Sequence, residues 1–150
     1  MLALTFQIGS VRVALDVRRI RRVVPRVQLL TAPPGSRGLV GMFVYRGQVV
    51  PVVDLSRLAG SGDCPPHLSS RIILVPYPAD SERLVGLLAA QVAEIRELAI
   101  APADNADSGN GLGPPMVDGI AVLRYLDSDR LIASLDLDPA VFAPPAGTAT

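Results

Sequence analysis

The sequence predicts an all-β fold, a sandwich or a small barrel, and two observations carry that prediction. About eight short apolar runs recur along the chain with Gly- and Pro-rich turn signals between them. The first of these runs alternate apolar and polar residues with a period of two, the mark of a half-buried strand. A chain of 150 residues is one domain's worth, long enough to bury roughly 70% of its unfolded surface. With three Phe, three Tyr and no Trp, its core must be built from Val, Ile, Leu and Ala.

The elements follow in order. Residues 2–8 place Leu4, Phe6 and Ile8 on one side and Thr5 and Gln7 on the other. Gly9-Ser10 suits a two-residue primed turn into a second strand over 11–17, with Val11, Val13, Leu15 and Val17 inward. RRIRRVVPRV then sets Ile20, Val23 and Val24 among five arginines, a pattern that fits a short helical turn and an irregular strand equally well. The breaker cluster TAPPGSRG (31–38) leaves room for one short helix before Gly41.

A hairpin follows, with Met42–Tyr45 and Gln48–Asp54 as arms and Arg46-Gly47 as its loop. Glycine supplies the positive φ that so tight a loop requires. Pro51 has no N–H to give to a ladder, so it predicts an edge position or a bulge in a strand that bends out of its sheet.

GSGDCPPH (60–67) is the candidate linker between two halves, and 71–77 reads as a buried strand. RLVGLLAAQVAEIREL (83–98) favours an amphipathic helix on propensity alone. Residues 101–115 predict a long polar loop of the kind that is functional or mobile. The stretch 125–138 predicts a last hairpin turning at Asp127-Ser128-Asp129, followed by a short closing helix or cap from Pro139 and a frayed tail.

Composition excludes several functions. The net charge is zero, yet residues 1–60 hold nine Arg against Asp16 and Asp54 (+7), while 61–150 hold five Arg against twelve acids (−7). Either two faces meet two partners or one half complements the other. With no lysine, Schiff-base chemistry and a P-loop are absent. No apolar run approaches the ~18 residues of a membrane span, and the start lacks a basic leader, so no signal peptide is expected. One cysteine, Cys64, fits a reducing compartment such as the cytoplasm.

Candidate chemistry is thin. Cys64 and His67 lie close in sequence but lack the further ligands of a structural zinc site, and a flexible loop holds no nucleophile pair rigid. Gly109–Gly113 resembles a phosphate cradle only faintly, with Pro114-Pro115 where a helix should begin. Asp136 and Asp138, spaced to share a strand face, read as solvated acids without a partner group. The Arg18–Arg26 cluster would suit nucleic-acid phosphates, but no aromatic stacking platform accompanies it. The expectation is a binding module rather than an enzyme, with no metal and no cofactor.

ALDV (14–17), GMFVYRGQVVPVVDLSRL (41–58), SSRIILV (69–75), RLVGLLAAQVAEI (83–95) and LIASLDL (131–137) together resemble the CheW family of chemotaxis coupling proteins, in that family's order from about Phe6 to Leu137. FVYRG and LSSRIILV look most like the variant adaptors of surface-sensing (Wsp-type) clusters. The resemblance implies two SH3-like five-stranded β-barrels packed side by side with short connecting helices. The subdomains would span approximately 1–60 and 68–138, with an exchange of strands between them left open, and 139–150 as a cap or tail. It implies strands, not a helix, over 83–98.

It further implies a non-enzymatic cytoplasmic adaptor, recruited to membrane-associated receptor arrays without inserting in the membrane itself. Its partners would be a chemoreceptor's cytoplasmic tip and the CheW-like domain of a CheA-like histidine kinase. The receptor-binding residues by resemblance are Ile20, Arg22, Gly41, Val44, Arg46 and Gly47. The kinase-binding ones are Leu87, Leu88, Ala89 and Ala90, taken as an edge of the second barrel. Val44, Arg22 and Ala90 depart from the family pattern, where Asn, an acid and Asp are common, so a dedicated receptor carrying compensating acids is expected. The alternative is a small nucleic-acid-binding barrel that uses the Arg18–Arg26 face.

Overall fold

A computed structural model describes residues 1–31, 37–64, 70–98, 111–118, 121–137 and 139–142. The strands are β1 (Leu2–Ile8), β2 (Val11–Asp16), β3 (Arg22–Pro25), β4 (Leu39–Tyr45), β5 (Gln48–Asp54), β6 (Arg71–Pro76), β7 (Leu84–Ala89), β8 (Ile95–Glu97), β9 (Leu112–Asp118) and β10 (Ala121–Leu126). Two short helices, α1 (Leu55–Leu58) and α2 (Ser128–Leu135), and 3-10 turns at Val17–Arg19 and Pro139–Phe142 join them.

The strands form two five-stranded sheets, ordered β8-β1-β2-β10-β9 and β3-β6-β7-β5-β4. This is the all-β fold of paired SH3-like barrels. The second sheet rolls up because the chain after β3 comes back to its far margin. There Leu30 N–H donates to the Met42 carbonyl (2.7 Å) and Met42 N–H to the Leu30 carbonyl (3.0 Å). The barrels are nested, not consecutive: β3 to β7 build one, and the chain's two ends build the other. A division near residues 60–67 therefore does not separate them.

Burial explains the apolar runs. Leu4, Phe6, Ile8, Val13 and Leu15 from one sheet meet Val53, Ile73, Val75, Val85 and Leu87 from the other in a shared layer. On its opposite face the second barrel packs Phe43, Val50, Val52, Ile72, Leu74, Leu84 and Leu88, and the first packs Ala3, Ala14, Leu98 and Leu123. β6 and β7 are thus covered on both faces, which forbids the polar alternate positions of a one-sided strand. The same double burial overturns the helical propensity of 83–98, since every residue of β7 is buried and no polar face is left for a helix to show.

After β7 the chain crosses onto the first barrel. Gln7 N–H donates to the Ala90 carbonyl (2.9 Å) and Thr5 N–H to that of Glu94 (3.1 Å), and β8 completes the ladder on β1.

Several expectations are corrected. β2 stops at Asp16, whose carboxylate accepts the Arg18 N–H and turns Val17–Arg19 into a 3-10 turn. RRIRRVVPRV is therefore both of its alternatives in succession. Residues 112–115 of the expected polar loop belong to β9, a margin strand where Pro114 and Pro115 forfeit few ladder bonds.

The expected hairpin at 125–138 is β10 followed by α2. Asp127 caps α2 by accepting the Arg130 N–H at 3.1 Å, and Leu131, Ile132 and Leu135 recur at helical spacing on the shared layer. Asp136 ends that helix with φ 49° and stands on no strand, while Asp138 lies outside the described residues.

Pro51 is buried in β5, which lies inside its sheet rather than at an edge. It is tolerated because the parallel ladder to β7 starts only at Val52. Residues 32–36, His67, 101–110 and the tail from 143 lie outside the described residues.

Candidate docking site on the second barrel

The β4–β5 hairpin carries three exposed residues of the expected receptor site, Val44, Arg46 and Gly47. Tyr45 pairs with Gln48, and the two-residue loop between them has φ 49° at Arg46 and 81° at Gly47. A Cβ at Gly47 would meet nothing within 4 Å, so backbone conformation rather than crowding selects glycine there. The Arg46 guanidinium lies 5.3 Å from the centre of the Tyr45 ring, a cation–π contact, and the residue is exposed. Val44 beside it is 60% exposed.

The other expected receptor residues divide in two. Arg22 is exposed at the start of β3, and Ile20 is half-buried against the shared layer. Gly41 is buried, and a Cβ there would stand 2.6 Å from both Leu29 Cβ and the Leu30 carbonyl oxygen. It serves the closure of the barrel, not its surface. Val23, Val27 and Leu30, which sequence reasoning passed over as site residues, add exposed apolar area on the same barrel. Their only signal was a run of aliphatic residues among arginines.

The expected kinase edge is corrected. Leu87, Leu88 and Ala89 are at most 2% exposed and sit in β7, an inner strand paired on both sides. Their side chains are covered within the fold, and the ladders to β5 and β6 occupy the strand. Ala90, half-buried with its carbonyl held by Gln7, is the one of the four that reaches the surface.

The arginine cluster is largely occupied within the fold. Arg18 forks onto Asp16 (2.8 Å at its closest), and Arg19 donates one bond to Asp129 of α2 (2.6 Å). Arg21 reaches the Ser81 carbonyl (3.4 Å) and Arg26 that of Cys64 (3.0 Å). The fork from Arg18 outweighs burial and holds the Asp16 carboxyl below its ordinary value.

The Asp of VVPVVDL is structural too. Asp54 is buried and accepts N–H bonds from Ser56 (2.9 Å), Arg57 (3.3 Å) and Cys64 (2.8 Å), capping α1 and pinning the following turn. Burial pushes the Cys64 thiol up, which disfavours the thiolate a nucleophile needs. Among the described residues, no helix is long and apolar enough to cross a membrane.

The structure thus joins two small barrels packed on a shared apolar layer, with Arg46 exposed on a tight loop of the second. The CheW-like domain profile matches residues 2–141, and the chain belongs to that family. It is 25% identical over 143 residues to the chemotaxis protein CheW of Thermotoga maritima, covering 92% of this chain and 91% of that one. The crystal structure of the scaffolding protein TtCheW from Thermoanaerobacter tengcongensis superposes with a TM-score of 0.68 at 20% identity, over 87% of this chain and 86% of that one.

Proposed function

We propose that this protein is a non-enzymatic adaptor that links the cytoplasmic tip of a chemoreceptor to a CheA-like histidine kinase, working in the cytoplasm at receptor arrays. The observation that carries the reading is the exposed Arg46 on its tight loop, in a chain of the CheW-like family. A guanidinium so placed can fork onto a receptor carboxylate or onto the carbonyls at a helix end. The kinase's own CheW-like domain docks barrel to barrel, with Ala90 the expected contact that remains at the surface.

Arg22, Val44 and Ala90, which depart from common family residues, favour a dedicated receptor of a surface-sensing cluster. The nucleic-acid alternative is disfavoured because Arg18 and Arg19 are paired with Asp16 and Asp129, which offset part of the charge it would use.

Co-sedimentation with a receptor-tip helical hairpin and the kinase tests the reading. Binding is expected to survive moderate salt, and Arg46→Glu should weaken it. Binding to duplex DNA that collapses steeply with salt, with no binding to the hairpin, would reverse the assignment.

A further inference from the structure

A second arginine is presented like Arg46, and one side chain ties the two together. Arg83, exposed just before β7, holds its guanidinium 4.1 Å from the centre of the Phe142 ring. Among the described residues no carboxylate pairs with either Arg46 or Arg83. Gln48, the residue after the Arg46-Gly47 loop, links them. Its amide N–H donates to the Glu82 carbonyl (3.2 Å) and its amide oxygen accepts the Leu84 N–H (3.3 Å). Those bonds fasten the Arg46 loop to the residues on both sides of Arg83. Arg21, reaching the Ser81 carbonyl, braces the same turn.

We infer that Arg46 and Arg83 form one two-pronged surface for an acidic protein segment that presents two carboxylates, with Gln48 as the positioning residue that sets their spacing. Ring stacking restrains each guanidinium in advance while leaving N–H donors free for a carboxylate fork, so little side-chain freedom is lost on docking. The flanking Asp80 and Glu82 are exposed on the same turn and would repel an acid arriving out of register, which adds selectivity. This inference rests on the adaptor reading, and it names the chemistry of the partner face.

The test uses the full chain and a fluorescent helical-hairpin peptide bearing paired glutamates, with a glutamine-substituted copy, a phosphorylated copy and duplex DNA as competitors. Arg46→Gln and Arg83→Gln should each weaken binding by about tenfold, the scale of a charge-assisted hydrogen bond, without moving the melting temperature. Gln48→Leu should weaken it several-fold and reduce the coupling between the two arginines in a double-mutant cycle, whereas a merely structural role would leave that coupling intact.

An unchanged affinity for Arg83→Gln, with Arg46→Gln still impaired, overturns this inference and leaves the adaptor reading standing. No binding of any receptor-tip hairpin, acidic or not, would instead count against the adaptor reading. Equal or tighter binding of the phosphorylated peptide or of DNA would overturn the carboxylate assignment.

Discussion

The β4–β5 and β6–β7 hairpins look alike as sequence, two apolar runs joined by polar turns, yet they do opposite work. β4 lies at a margin of its sheet and projects an exposed tip with Val44 and Arg46. β7 lies between β6 and β5 and is covered on both faces. A strand's freedom to meet a partner is thus set by its place in the sheet order, which depends on pairings far along the chain. Composition cannot report it.

The largest expected effect would break the contrast at its buried side. Leu87→Ala should cost about 2–5 kcal/mol in chemical denaturation, as a cavity in the shared layer, and should impair all partners together. A kinase-specific defect at full stability would return β7 to the surface.

Asp54→Asn comes next. With the amide oxygen kept on the Ser56 and Arg57 N–H groups, the Cys64 N–H faces an NH2 donor, which should cost about 2 kcal/mol in the same measurement. Gly86→Ala should cost about 1–3 kcal/mol, because its Cβ would stand 2.8 Å from Ile72 Cγ2 and 3.2 Å from Val52 Cγ2.

A smaller effect depends on pH. The Arg18 fork lowers the Asp16 pKa from 3.8 in the folded state. Its contribution is therefore fully present above the unfolded value and fades as pH falls through the folded one. An acid titration of stability should show Asp16→Asn narrowing its gap from the parent protein below pH ~4.

The smallest stability change belongs to the exposed side. Arg46→Glu should stay within about 0.5 kcal/mol of the parent in denaturation while losing receptor coupling. A large loss of stability would make the tip structural and erase the contrast between the hairpins.

Legibility followed the range of the interactions. The β1–β2 turn, the Arg46-Gly47 loop and the alternation of Leu4, Phe6 and Ile8 were readable because each depends on neighbours a few residues away. Family resemblance, not propensity, anticipated strands over 83–98. The helix α2 was missed although Asp127 and the spacing of Leu131, Ile132 and Leu135 marked it, because its turn residues also fit a hairpin. At the candidate site the resemblance pointed to Arg46, but Gly41 and Leu87–Ala89 are interior, and Arg83 is joined to the site only through Gln48.

By itself the sequence determined the class of the molecule. It is an aliphatic-cored chain of short strands without lysine, with one cysteine and an arginine on a glycine-backed turn. The tertiary structure decided which strands lie inside, how the barrels nest, and which arginines remain for a partner. Those outcomes depend on contacts between residues a dozen or more positions apart, such as Leu30 with Met42, Gln48 with Leu84 and Arg19 with Asp129. Local pattern carries no information about such contacts until the chain closes on itself.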